Sequence, residues 1–347
     1  MAGFDVVRLV TGWQLRPGVA AALVFAAAGY VAAAGRVRRV GGSWPWWRTA
    51  AFLGGLVVVA FAMLGGVGRY GRVVVWVHMV EHLLLIMVAP PLLAAGSAVL
   101  LADRVLPRRW ARLRRVAASR LVTSLTSPLV AVVGYASVVV GVHLTGLMDT
   151  AMRDTRAHLV EELVYLGSGL VLAQLVFGQL PGRWQLSPLA RMALLVVAMP
   201  VDAFTGVVML QSPAASGDHP VGHGAHASMT VPGSDAGLSA VQDAHAAGAV
   251  MWVGGSGIMV VLLVLVGAAW ARHRDAAPGS GGWLERARRT AFDAHTGTGP
   301  ATAGAGAPAG AVGDLDDDEA ALAAYNRWLA GLAGAHDGGR PPARPGG

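Results

Sequence analysis

Seven stretches of this chain are apolar for about the length of a helix that crosses a bilayer, and that feature constrains its fold more than any other. They run over about residues 18–35, 49–67, 73–101, 128–146, 157–178, 189–210 and 246–270. A spanning helix takes about 20 residues at 1.5 Å rise per residue. Inside hydrocarbon every backbone N–H and C=O must find a partner within the chain, which leaves helices or closed barrels. Apolar runs of this length predict an all-α fold, a polytopic membrane protein built as a seven-transmembrane-helix bundle. Composition agrees: 54% of the 347 residues are hydrophobic and only 14% are charged, against roughly a quarter charged in soluble domains. The N-terminus lacks the short basic start and small-residue cleavage site of a secretory signal, so the first helix is expected to remain.

The net charge of +7 comes from 27 basic residues that are all arginine. They cluster between the apolar blocks, where they report membrane orientation rather than nucleic-acid binding. Arg36, Arg38, Arg39, Arg48, Arg104, Arg108, Arg109, Arg112, Arg114, Arg115, Arg120, Arg183 and Arg191 make 13 on one side. Arg8, Arg16, Arg69, Arg72, Arg153 and Arg156 make six on the other. This bias places the N-terminus outside and the C-terminus in the cytoplasm, with Arg16 a mild dissent. The expected location is the cell (plasma) membrane, crossed several times, with the lipid bilayer as a partner and no nucleic acid.

Two absences narrow the chemistry. Without lysine there is no Schiff base for retinal. Without cysteine there are neither disulfides nor thiolate ligands.

Three regions follow from these patterns. Residues 1–17 form an extracytoplasmic N-terminal segment, and residues 18–270 the membrane domain with a long outer loop over 211–245. Residues 271–347 form a cytoplasmic tail, largely disordered because Gly, Ala, Pro, Ser and Thr dominate it. Within the tail, 283–292 reads as a basic amphipathic helix. Residues 314–332, with Leu322, Tyr325 and Leu329 at helical spacing, read as a second helix.

The run HMVEHLLLIMVAPPLL, residues 78–93, puts titratable groups where lipid would penalise them. His78 and His82 lie about 9 and 15 Å along their helix from Arg72, on one face because they are four apart. Other helices contribute polar groups at the same outer level: His143, His158, Glu161, Glu162, Asp202, Asp243 and His245, with Met251 two turns deeper. His158 and Glu162 share a face at i, i+4. Groups at that depth turn inward and pair or bind something, so this layer is the candidate site.

Bland alternatives stand beside that reading. His143 and His158 can cap helices, and Glu161 can be a solvated rim residue. Glu162 and Asp202 can orient histidines without touching a ligand. Met79, Met87 and Met209 read as packing. Pro90, Pro91 and Pro200 free carbonyls near the layer or are ordinary kinks. The outer loop carries His219, His223, His226 and Met229. Imidazole and thioether suit copper, and these residues form either a metal-collecting loop or a polar linker.

HMVEHLLLIMVAPPLLAAG, VHLTGLMDTAMRDTRAHLVEEL, AMPVDAFTGVVML and DAHAAGAVMW occur in that order. In these motifs, over about residues 18–270, the chain resembles the CtaG-type cytochrome c oxidase assembly factors, integral membrane proteins implicated in copper supply. The resemblance carries the family's paired histidines onto His78 and His82, and single histidines onto His143 and His158. It carries an aspartate onto Asp243 and a small-residue-then-MW pattern onto Gly248, Met251 and Trp252. The chain departs from the family's HxxEH at Glu162 and from a frequent histidine at Asp202, offering harder oxygen donors at both.

The resemblance implies a metallochaperone rather than an enzyme. It would hold copper, expected as Cu(I), among His78, His82, His143, His158, Glu162, Asp202, Asp243, His245 and Met251, and give it to a cytochrome c oxidase subunit. Two other readings stay open. An intramembrane zinc hydrolase would use Glu162 or Asp202 to activate a zinc-bound water. A bis-histidine haem protein would use His78 or His82 against His143.

Overall fold

Long apolar blocks with few helix breakers leave the backbone one solution in lipid, and the structure, a computed structural model, is helical. It describes residues 6–106, 119–178, 184, 186–211, 240–276, 322–323, 325–327 and 330. Among these there is no strand. The membrane segments are α1 (Pro17–Arg39), α2 (Trp46–Tyr70), α3 (Val75–Val105), α4 (Pro128–Leu144), α5 (Thr155–Val176), α6 (Pro188–Gln211) and α7 (Gln242–Arg272). Six of them are long and apolar enough to cross a membrane. The seventh is α4 if it is counted with Leu147–Arg153, from which it is bent by 72°. The fourth apolar block, read from sequence as one run to residue 146, is thus broken after Leu144. The protein is a multi-pass helical membrane protein.

Local chemistry sets several helix starts. Pro17 occupies the first turn of α1, where a missing N–H costs nothing. Ser127 accepts from Val130 N–H ahead of Pro128 at the start of α4, and Asp154 accepts from Arg156 N–H at α5. Helix α3 has no such residue of its own, since Val74 precedes it. Its first N–H groups are taken instead by Asp243 of α7, whose carboxylate accepts from Val75 at 2.9 Å and Trp76 at 3.0 Å.

Two helices widen where their ladder is disturbed. In α3 a π-helical turn covers Leu84–Val88, just before Pro90 and Pro91, which cannot donate to the preceding turn. Gly169 of α5 packs against this turn: a Cβ there would meet the Ile86 carbonyl and the Pro90 ring. In α7 a second π-helical turn covers Val250–Gly254. Beside it α6 and α7 meet backbone to backbone, since a Cβ on Gly206 would lie 2.7 Å from Trp252 N.

The main core includes Val59, Met79, Leu85, Tyr135, Tyr165 and Met251. A separate cluster gathers Tyr30, Trp44 and Leu101; Trp44 Nε1–H donates to the Tyr30 hydroxyl, which donates to the Gly96 carbonyl at 2.7 Å. Large apolar residues also face outward, among them Phe25, Val197, Val261 and Val264. Helices apolar on both faces fit a lipid surround.

The chain divides into two compact units, Met1–Gly267 and Ala268–Gly347. The first holds the core and the polar layer. In the second, the described residues of 322–330 are helical and Tyr325 is buried. The expected basic helix at 283–292 and the Gly/Ala/Pro-rich stretches lie outside the described residues.

Candidate metal centre

Helix α3 carries His78, Glu81 and His82, and α5 carries His158, Glu161 and Glu162, each set at i, i+3, i+4 and so on one helical face. All six are buried, none more than 6% exposed. The two faces meet, and their charges interlock. Glu161 lies 3.5 Å from His78 Nε2 and 3.4 Å from His82 Nε2. In return Glu81 lies 3.4 Å from His158 Nε2 and 3.7 Å from His78 Nδ1.

These separations exceed those of a made N–H···O bond, about 2.7–3.2 Å. Both nitrogens of His78, Nε2 of His82 and of His158, and all carboxylate oxygens of Glu81 and Glu161 lack a hydrogen-bond partner. Buried polar groups are rarely left so. Two donors at about 2.0–2.2 Å from one tetrahedral ion stand about 3.3–3.6 Å apart, which is the spacing in three of these four contacts, Glu81 to His78 Nδ1 being slightly longer. His78, His158 and Glu161 converge as one possible ligand triad, and Glu81, His158 and Glu162 as another. The donor set fits a metal ion.

Aromatic packing holds the rings in place. Tyr165 stacks on His82 with centroids 3.9 Å apart, and His78 lies 4.2 Å from His82. His143 arrives from the end of α4. Its Nδ1 lies 2.8 Å from the Val139 carbonyl, and its Nε2 faces His82 Nδ1 at 3.4 Å and Met79 Sδ at 3.1 Å. The His82–His143 pair leaves little room for a haem. Rings whose nitrogens stand 3.4 Å apart leave no space for a macrocycle between them.

Sequence reasoning nominated further residues: of these, Glu162 belongs to the second triad, while Asp202, Asp243, His245 and Met251 lie outside both. Glu162 is held bidentately by Arg16, which donates to its two oxygens at 2.6 and 2.7 Å, and lies 3.8 Å from His158 Nδ1. Burial acts against the charge of Arg16, but Glu162 more than offsets this and the guanidinium pKa is raised. Asp202 accepts from the Tyr135 hydroxyl at 2.6 Å. Asp243 caps α3 and His245 is exposed, so neither joins the cluster. Met251 is fully buried in the main core. His219, His223, His226 and Met229 lie outside the described residues.

Four residues of the cluster were not nominated as ligands: Glu81, Glu161, Tyr165 and Met79. Glu161 is buried at 6% exposure, not a solvated rim residue. One signal was available for the two carboxylates. His78-x-x-Glu81 and His158-x-x-Glu161 repeat the same spacing on two helices.

Residues 28–273 match the family described as cytochrome c oxidase caa3 assembly factor (Caa3_CtaG). An uncharacterized protein of Mycobacterium leprae is 32% identical over 285 residues, covering 78% of this chain and 42% of the relative. Uncharacterized proteins of Mycobacterium bovis and Mycobacterium tuberculosis are each 31% identical over 278 residues, covering 77% of this chain and 40% of the relative. The chain thus spans about two fifths of the length of the curated relatives it matches. No solved structure matches the chain.

Proposed function

Since this chain belongs to the cytochrome c oxidase caa3 assembly factor family, we propose that it is a copper carrier of oxidase maturation, working in the plasma membrane. It holds the ion between the His-x-x-Glu faces of α3 and α5 and passes it to an oxidase subunit. The observation that carries this reading is the set of unpartnered, buried donor atoms on His78, Glu81, His158 and Glu161, which converge in two possible ligand triads that share His158.

Each side chain has a task in that account. His78 and His158 supply borderline nitrogen donors, and Glu81 and Glu161 balance the ion's charge in a medium that cannot hydrate it. Arg16 neutralises Glu162 at the edge of the cluster, so the charge excess at the centre comes from Glu81 and Glu161. The arginine asymmetry turns the N-terminus and this layer toward the outer compartment. Copper is then taken up and released on that side.

Zinc-dependent hydrolysis is the second reading, favoured by the carboxylate share of the donors, which are harder than thioether or thiolate. Its nominated bases are engaged, Glu162 by Arg16 and Asp202 by Tyr135. The test is genetic. Cells lacking the protein should lose active copper-containing oxidase, regain it with the wild-type chain, and fail to regain it with His78→Ala/His158→Ala at equal membrane abundance. Full rescue by that double variant would remove the copper role.

A further inference from the structure

We propose that the buried cluster contains a second, softer metal position suited to Cu(I), formed by Met79 Sδ, His143 Nε2 and His82 Nδ1. The inference rests on the copper reading above and refines where a reduced ion is held.

The argument starts from one hydrogen bond. A carbonyl oxygen only accepts, so the Val139 carbonyl, 2.8 Å from His143 Nδ1, selects the tautomer with the hydrogen there, and the Tyr165 hydroxyl, 3.2 Å from the same nitrogen, shares it as a second acceptor. In a neutral imidazole Nε2 is then a bare lone pair. That lone pair faces Met79 Sδ at 3.1 Å, and a thioether sulfur is itself only an acceptor. The third atom of the group is His82 Nδ1, 3.4 Å away. None of the three residues is more than 1% exposed, so bulk solvent does not touch them. A hydrogen on His82 Nδ1 can be donated to the His143 Nε2 lone pair, but the Met79 sulfur then still faces that nitrogen with no donor of its own. A shared electron-pair acceptor removes the conflict directly.

The donor types choose the ion. Thioether with imidazole is a soft set that favours Cu(I), and the chain has no cysteine to offer anything softer. Two nitrogens at about 2.0–2.1 Å from a three- or four-coordinate ion stand about 3.3–3.6 Å apart, which matches His82 and His143. Sulfur needs slightly more room than 3.1 Å, and the three rotatable bonds of methionine supply it.

The same geometry makes His82 the link between two donor sets. Its Nδ1 turns to His143 and Met79, while its Nε2 turns to Glu161 at 3.4 Å. With Cu(I) on Nδ1, the Nε2–H donates to Glu161, a carboxylate–imidazole–metal arrangement that fixes the tautomer and raises ligand basicity. Tyr165, stacked on the ring, keeps it from turning away. The hard position, with His78, His158 and Glu161, needs neither Met79 nor His143.

The test uses the full chain in lipid nanodiscs, prepared without an affinity histidine tag, and loaded with Cu(I) under reductant or with Zn(II). X-ray absorption at the copper edge reads whether sulfur is bound. Wild-type protein should show one sulfur neighbour. Met79→Leu, which keeps volume and polarity, should lose it, hold Cu(I) at least tenfold more weakly in chelator competition, and keep wild-type Zn(II) content. A nitrogen-and-oxygen shell in wild type at full copper stoichiometry overturns the soft position and leaves the carrier reading standing. Sulfur that persists in Met79→Leu also overturns it. Absence of bound copper from wild type and variant alike removes both readings.

Discussion

The Glu81 carboxylate of α3 stands 3.4 Å from the His158 imidazole of α5. The relation is returned by Glu161 of α5 against His78 of α3, at 3.5 Å. Each helix therefore presents an acid to a histidine of the other, closer than the acid on that histidine's own helix. Removing one charge should weaken the centre without dismantling it. Glu81→Gln and Glu161→Gln should each lower metal affinity at least about 10-fold, since even a carboxylate that only supports a ligand is worth 10- to 100-fold. Isothermal titration with the reconstituted protein checks this. Unchanged affinity in both variants would make the acids mere fillers of the interface.

Arg16 and Glu162 form a bidentate pair across 146 positions of sequence, with Glu162 almost fully buried. Arg16→Ala leaves that carboxylate without its partner. The expected loss is about 3 kcal/mol, the low end for breaking a buried pair, because Arg16 itself is partly exposed. Adding Glu162→Gln should restore most of the stability, since the stranded charge is then gone. Thermal unfolding in detergent reads both. Additive losses in the double variant would mean that the two residues act independently.

Asp243 offers a cleaner separation of roles. As the cap of α3 it should cost about 1–2 kcal/mol when changed to Ala. Amide exchange should rise at Val75 and Trp76 while metal content stays at the wild-type level. Loss of metal with unchanged exchange at these amides would instead make Asp243 a ligand.

How much of this was legible in the sequence follows from the range of each interaction. The spans were legible because membrane length and apolarity are local properties. The shared face of His78 and His82 was legible because helical periodicity is local too. Glu81 and Glu161 could have been found from their repeated spacing, yet a carboxylate beside a histidine reads equally well as a rim or a support. The roles of Asp202, Asp243 and Glu162 were not legible, because Tyr135, the N-terminus of α3 and Arg16 approach them only through packing between distant helices. Arg16 reads in sequence as a charge before the first span, and only the fold turns it toward Glu162. The break in α4 after Leu144 was hidden because the apolar run continues through it. Met79 looked like packing, which by burial it is; only its distance to His143 gives it chemistry.

Orientation remains a separate, checkable consequence of the arginine pattern. Reporter fusions after Leu106 and after Gln211 should fall on opposite sides of the membrane, the first cytoplasmic. Both reporters on one side would reverse the proposed direction of copper uptake or break the count of spans.

The central claim is that His78 and His158 bind an ion rather than fill the core. Metal stoichiometry and thermal stability of the purified full chain, compared between wild type, His78→Ala and His158→Ala, separate the two. The account predicts about one copper or more per wild-type chain, and a sharp loss in each variant that still folds and melts cooperatively. Wild-type copper content in variants that are merely less stable would contradict it.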